Sequence, residues 1–345
     1  MDKQTSQIVK GIAIIMMLFL HLFMDPANAE LCKNFVFIDG KPLVNFLTRA
    51  AGPVPFYLFL SGYGLYKVYL KGDKNRWNRL IKLCIHYWLI LLIFVPLAYY
   101  VKPTKIPLST DIIIANIFAY DPTYDAPMWF FLPYIILAII SIWIFKVIDK
   151  HNSLIIIFLT LIIHIFTSYC ISRYGQSYIY NARYAYNLLL VFHFLFQFCL
   201  GAICAKDRIF ERSKDFCKKI IPQSFPRYFI ISILLIGLIF YELLGKYNFF
   251  YAFGVIWCIS NLNIRGWSKA MLVKLGDQSM NMWMIHYWFY QTLLHDFVYS
   301  FKFPLLVLGV LTIISYAASI IINKIATPVE RLIMPVKIIK QPPII

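Results

Sequence analysis

The first apolar run of the chain contains two titratable side chains, Lys10 and His21, with the uninterrupted sequence GIAIIMMLFL between them. Eleven residues of α-helix turn through about 1100°, only about 20° past three full turns, and rise about 16 Å. The ammonium and the imidazole therefore share one face of the predicted helix. A titratable group inside a membrane helix costs about 2–4 kcal/mol or more, and it usually faces a wet or protein-lined cavity.

These two side chains are our first candidates for chemistry. Histidine titrates near neutrality, so His21 could act as a general base that takes a proton from an attacking hydroxyl. Lys10 could offer its charge to an anionic ligand or to a developing oxyanion. The alternative is structural: Lys10 would snorkel to the cytoplasmic interface, and His21 would hydrogen-bond a neighbouring helix. The spacing alone does not choose between these interpretations.

Two further segments could contribute to a site. The sequence FYLFLSGYG at 56–64 follows Gly52, Pro53 and Pro55. Small residues let helices approach closely and prolines kink them, so this segment either lines a cavity or packs as a kinked helix. The basic cluster after it contains Arg76 and Arg79, spaced i, i+3 so that both face one way. Paired guanidiniums suit bidentate phosphate binding, although the positive-inside rule also explains this charge.

The segment LGDQSMNMWMIHY at 275–287 places Ser279, Met282 and His286 on one helix face. Ser279 and His286 are roughly 10 Å apart along that helix, which is too far for a nucleophilic pair. We therefore interpret them as ligand-contact or packing residues. Trp129 is expected to anchor the membrane interface.

The elements that must position these residues are membrane-spanning helices. Of the 345 residues, 61% are hydrophobic and only 14% are charged, against about 25% charged in ordinary globular chains. The apolar runs are continuous, which favours helices over a barrel of alternating strands. We predict one all-α domain spanning residues 1–345, with about ten helices, at about 8–24, 43–69, 80–101, 127–147, 153–171, 185–205, 228–245, 247–262, 278–299 and 303–325. The segments at 228–245 and 247–262 could instead be one long broken helix.

Basic residues orient the predicted bundle. Alternate loops, together with both termini, hold 24 of the 33 Lys and Arg residues, which places both termini in the cytoplasm. Because the basic residues cluster on alternate loops, membrane topology explains the net charge of +17. We therefore expect no nucleic-acid partner. The seven cysteines are dispersed and form no CxxC pair, so we expect no disulfide framework and no metal site. We expect Arg49 and Glu242 to have buried partners, because an unpaired charge in a span is costly.

The motifs, in this order, resemble the acyltransferase-3 family of integral-membrane acyltransferases. The resemblance rests on KGIAIIMMLFLHLF at 10–23, FYLFLSGYGLY at 56–66 and NRWNRLIKL at 75–83. It continues with APMWFFLPYIIL at 126–137, LGDQSMNMWMIHYWF at 275–289 and SYAASIIINKIATPVERLI at 315–333. It covers nearly the whole chain and implies a multi-pass protein of the cell membrane, consistent with a bacterial cytoplasmic membrane.

The resemblance also implies an activity: transfer of an acyl group, usually acetyl, from cytoplasmic acyl-CoA to a hydroxyl of a cell-envelope glycan or lipid-linked sugar. Lys10 stands where the family more often has Arg, which favours point-charge attraction over bidentate contact. Tyr57 stands at a position often held by Phe. The resemblance implies catalysis for His21 and Lys10, and phosphate binding for Arg76 and Arg79. We further predict that Ser61 and Tyr63 help to bind the acyl-CoA co-substrate, and that Trp129, Ser279 and His286 bind the acceptor.

A transporter or flippase for a polar lipid or small solute is the main alternative. It would also need many helices, broken segments and charges within the membrane. It predicts two halves with corresponding interrupted helices, and the sequence contains no such correspondence.

Overall fold

The computed structural model describes residues 1–72, 76–245 and 248–334, apart from the side chain of Arg76. In this part of the chain the only strands are β1 (Phe37–Ile38) and β2 (Lys41–Pro42), which pair as one antiparallel hairpin. The helices are α1 (Lys3–Phe23), α2 (Pro26–Glu30), α3 (Leu43–Leu47), α4 (Val54–Leu70), α5 (Arg76–Val101), α6 (Thr110–Ile117), α7 (Phe131–Lys150), α8 (Ser153–Tyr174), α9 (Arg183–Lys206), α10 (Ile209–Ile220), α11 (Ser224–Leu243), α12 (Tyr251–Asn261), α13 (Gly266–Tyr287), α14 (His295–Ser300) and α15 (Pro304–Ile333).

The predicted all-α membrane architecture is confirmed, and the number of helices is confirmed approximately. Eight helical segments of the described chain are long and apolar enough to cross a membrane. The other two predicted segments correspond to α12, which has only 11 residues, and to the later part of α13, whose earlier part is more polar. The segments at 228–245 and 247–262 form two separate helices, α11 and α12, and residues 246–247 between them lie outside the described chain.

Four glycines set the closest helix crossings. A Cβ at Gly11 of α1 would overlap the Leu272 carbonyl oxygen of α13, and a Cβ at Gly276 would overlap the Gln7 carbonyl oxygen of α1. Gly62 of α4 and Gly201 of α9 make the same reciprocal contact, with Phe198 and Phe59 as their partners. Cβ atoms point toward the N-terminus of their own helix. In each pair, the added Cβ of one glycine would meet a residue three or four positions before the other glycine. The two helices of each pair therefore run parallel. Glycine allows both backbone pairs to approach this closely.

Several polar side chains within the spans bond to neighbouring helices. His86 bonds to Asn281 and Glu330, at 2.7 Å and 2.6 Å. Gln197 donates to the Phe249 carbonyl, just before α12 begins. Hydrogen bonds of this kind satisfy polar groups where water is excluded.

The expected partners of the two charged side chains are not found. The Arg49 side chain is exposed and lies over the Phe46 ring at 4.7 Å, and no described carboxylate pairs with it. The expectation of a buried partner for Arg49 is therefore wrong, because its exposed guanidinium contacts an aromatic ring instead of a carboxylate. One buried oxygen of Glu242 also has no hydrogen-bond partner among the described residues.

Candidate active site

A cavity of about 560 Å³ lies between α1, α4, α5, α7 and α13. Along α1 its wall runs from Ser6, through Lys10 and His21, to Met24 just beyond the helix end. From Ser6 to Met24 the helix rises about 27 Å, close to the roughly 30 Å hydrocarbon thickness of a bilayer. The predicted common face of Lys10 and His21 is confirmed, because both side chains line this one cavity.

The end of the cavity nearest the N-terminus of α1 is cationic. Lys10, Arg79 and Lys82 line it, and Lys10 and Arg79 are close enough for their charges to interact. Lys82 Nζ lies 3.1 Å from Glu330, so its charge is partly compensated. No described carboxylate bonds to Arg79. We call Lys10, Arg79 and Lys82 the cationic end; such a group suits a ligand with several negative charges.

His21 lies at the other end of the cavity, in the last turn of α1. Its ring packs against that of His286 on α13, with 5.0 Å between the ring centroids. No described residue hydrogen-bonds the His21 ring. Both of its nitrogens are therefore available to a substrate in the cavity.

His286 is fully buried, and its protonation follows from its neighbours. Its Nδ1 lies 2.7 Å from the Trp283 carbonyl oxygen and 3.2 Å from that of Met282. Carbonyl oxygens only accept hydrogen bonds, so Nδ1 carries a proton, and in the neutral ring Nε2 has the free lone pair. Nε2 is buried and has no hydrogen-bond partner among the described residues.

The middle of the cavity has aromatic and hydroxyl walls. Tyr57, Ser61 and Tyr134 line it, and the Ser61 hydroxyl donates to the Tyr134 oxygen at 3.0 Å. The Tyr57 hydroxyl is buried and makes no hydrogen bond of normal geometry with a described residue. Trp129 and Trp283 complete the wall toward His21.

The cavity includes most of the residues proposed from the sequence. Six of them line it: Lys10, His21, Ser61, Arg79, Trp129 and Ser279. His286 is not in the lining but lies directly against His21. The side chain of Arg76 lies outside the described part of the chain.

Tyr63 is directed away from the cavity. Its hydroxyl accepts from the Met1 amino nitrogen at 2.6 Å, and its ring packs on Phe210. Ser61 and Tyr63 are two residues apart and therefore about 200° apart around α4, so they cannot both face the donor. We assign no donor contact to Tyr63.

Sequence reasoning did not assign functions to Tyr57, Tyr134, Lys82 and Trp283, which also line the cavity. A helical-periodicity signal was present for Tyr57: it shares one face of α4 with Leu60, Ser61 and Gly64, at i, i+3, i+4 and i+7. No comparable signal connects Tyr134 or Trp283 to His21, because they come from other helices. Among the described residues, no group of three or more His, Cys, Asp or Glu side chains is placed to hold a metal ion.

The comparison with known proteins agrees with this geometry. A model of the acyltransferase-3 family, described as an acyltransferase domain, matches residues 6–324 of the 345. No significant match was found among curated proteins or among solved structures. The matched region contains every residue that lines the cavity. The chain is therefore a multi-pass membrane protein that belongs to the acyltransferase-3 family of acyltransferases.

Proposed function

We propose that this protein transfers an acyl group, most simply acetyl, from cytoplasmic acyl-CoA to a hydroxyl of a cell-envelope glycan or lipid-linked sugar. The observation that carries the proposal is the single cavity that runs along α1 from the cationic end to His21. The donor would enter between the helices from the cytoplasm, and the acceptor would approach from the other side. We propose the bacterial cytoplasmic membrane as its location.

In the proposed reaction His21 is the general base. It removes the proton of the acceptor hydroxyl while that oxygen attacks the thioester carbonyl carbon. The tetrahedral intermediate then expels the CoA thiolate, which takes up the proton from the His21 imidazolium. One C–O bond forms and one C–S bond breaks, so the acyl group moves without a change of oxidation state.

His286 would act as a positioning residue for His21. Its Nδ1 is fixed by two carbonyl oxygens, which leaves Nε2 as an unpartnered acceptor on the ring that packs against His21. If one nitrogen of His21 donates a hydrogen bond to His286 Nε2, that nitrogen carries the proton of the neutral ring. The other nitrogen of His21 then has the free lone pair that accepts the proton of the acceptor hydroxyl. The imidazolium formed during transfer would be stabilised by the same contact.

Arg79 is expected to bind the phosphates of CoA. Replacing it with glutamine should raise the KM for acyl-CoA about tenfold, since a charge-assisted hydrogen bond contributes about 1.5–3 kcal/mol. The same variant should retain its wild-type KM for acyl-pantetheine, which lacks the phosphates. Steady-state kinetics with the two donors would measure both effects.

Arg212→Gln is the matched control for this prediction, because Arg212 is an exposed arginine of α10 that does not line the cavity. It should leave both KM values unchanged. Equal losses with acyl-CoA and acyl-pantetheine in Arg79→Gln would argue against phosphate binding.

Tyr57 is expected to donate a hydrogen bond to the oxyanion of the tetrahedral intermediate. Its hydroxyl is buried in the cavity wall near the Ser279 side chain but makes no hydrogen bond of normal geometry with a described residue, so it can turn to a reacting carbonyl oxygen. Tyr57→Phe should lower kcat about tenfold and leave the KM for acyl-CoA unchanged. Loss of a principal oxyanion donor lowers the rate roughly 10²–10³-fold. We expect a smaller effect here, because the family resemblance implies that Phe often stands at this position.

The control for Tyr57 is Tyr100→Phe, which removes the same atom from a side chain that is 89% exposed. An unchanged kcat in Tyr57→Phe would rule out this role. A raised KM at constant kcat would instead assign Tyr57 to ground-state binding.

The proposed function is tested with purified protein reconstituted in vesicles. Labelled acetyl-CoA is supplied on the side of the termini, and candidate envelope glycans are supplied on the opposite side. Acyl transfer predicts labelled, alkali-labile ester on the glycan. Movement of a lipid or solute across the vesicle membrane without ester formation would favour the transporter or flippase alternative.

A further inference from the structure

A second pocket, of about 190 Å³, lies beside the end of the cavity opposite the cationic end. It is formed by the β1–β2 hairpin, α3 and the turn after α3, and we call it the outer pocket. Its polar side chains are Asp39, Lys41, Asn45, Thr48 and Arg49. At liquid density its volume corresponds to roughly six water molecules, which is enough for about one sugar ring.

The outer pocket is fixed to the helix that carries His21. Asn45 Nδ2 donates to the carbonyl oxygens of Phe23 and Met24, at 2.8 Å each, and so caps the end of α1. Met24 lines both the outer pocket and the main cavity. Because Met24 follows His21 by three residues, it lies only about 4.5 Å further along the helix axis. A ligand in the outer pocket would therefore lie beside the acyl-transfer centre.

Arg49 is preorganised for a ligand with a negative charge. Its guanidinium lies over the Phe46 ring, and no described carboxylate occupies its donors. A guanidinium held by an aromatic face retains its planar fork of N–H donors, which matches carboxylate or phosphate. Lys41 adds a second cation, and the Asp39 carboxylate offers an acceptor for sugar hydroxyls.

We propose that the outer pocket binds a sugar unit of the acceptor that carries a carboxylate or phosphate group. Arg49 and Lys41 would hold the anionic group, and Asp39 would accept hydrogen bonds from ring hydroxyls. The neighbouring sugar would then present its hydroxyl to His21 past Met24. This inference rests on the proposed function for the transfer step, but binding in the pocket can be measured without transfer.

The test uses three synthetic oligosaccharides of equal length: one with a hexuronic acid, one with a hexose phosphate and one neutral. Their binding to the full-length protein is measured by calorimetry without acyl-CoA, and their KM values are measured with acetyl-CoA. We expect the wild-type protein to bind at least one acidic oligosaccharide about tenfold more tightly than the neutral one. Comparison of the hexuronic acid with the hexose phosphate shows whether the outer pocket prefers a carboxylate or a phosphate group. Arg49→Gln should remove this preference and leave the KM for acetyl-CoA unchanged.

Arg173→Gln is the matched control, because Arg173 is an exposed arginine at the end of α8 and does not line the outer pocket. It should leave the preference intact. Equal affinity of the wild-type protein for neutral and acidic oligosaccharides would overturn the proposal, as would an undiminished preference in Arg49→Gln. Arg49-dependent binding without any acyl transfer would support the outer pocket and contradict the proposed function, so the two failures are distinguishable.

Discussion

Replacing His21 with alanine is expected to abolish acyl transfer while the protein still inserts and folds. A general base contributes about 10²–10⁴-fold to the rate, and His21 is the histidine that lines the main cavity in the described chain. We therefore expect the rate constant of acyl transfer, measured in single-turnover assays with labelled acetyl-CoA, to fall by at least about 10²-fold. Binding of acetyl-CoA should be retained, because the cationic end is about 16 Å away along α1.

His21→Gln and His295→Ala complete this experiment. Glutamine keeps a polar side chain at position 21 but cannot act as a base, so its kcat should match that of the alanine variant. His295 lies on α14, pairs with Asp296 and does not line the cavity, so its variant should be as active as the wild type. Undiminished transfer by His21→Ala would refute the assignment of the base.

Substituting alanine at Gly11 or Gly276 is expected to produce the second-largest loss of activity. An added Cβ at either position meets a backbone carbonyl of the partner helix, which cannot rotate away as a side chain can. The helices must separate or slide, and overpacking of this kind costs about 1–3 kcal/mol. The shift moves His21 relative to His286, and a displacement of about 1 Å can reduce a catalytic rate about 10²-fold.

Thermal unfolding in detergent and transfer kinetics would measure the two consequences separately. Gly237→Ala is the matched control, because an added Cβ on that α11 residue meets nothing within 4 Å. It should unfold at the wild-type temperature and remain fully active. Wild-type melting temperature and activity in Gly11→Ala would show that the α1–α13 crossing tolerates a methyl group.

The sequence was sufficient to predict the features that depend on local periodicity. The face shared by Lys10 and His21 required only the pitch of an α-helix, and the structure confirms it. The same pitch places Ser61 and Tyr63 about 200° apart, and in the structure Ser61 lines the cavity while Tyr63 bonds to Met1. By helical periodicity, Tyr57 and not Tyr63 shares the cavity face of α4 with Ser61.

Features that depend on the packing of distant segments could not be predicted in this way. The contact between His21 and His286 depends on the register of α1 against α13, which is fixed by Gly11 and Gly276. Nothing in the spacing of either segment specifies that register. The exposure of Arg49 also could not be predicted, because the apolar run at 43–69 is continuous in the sequence, whereas the structure interrupts its helix at residues 51–53.

The pairing of α1 with α13 also has a consequence for biosynthesis. More than two-thirds of the chain separates these two helices, and in the described residues α13 is followed by one long helix, α15. A ribosome must therefore translate most of the message before the imidazole of the first helix meets its partner. Nascent or prematurely terminated polypeptides would therefore lack the contact between His21 and His286, and any activity that depends on this contact would begin only after α13 has been synthesised.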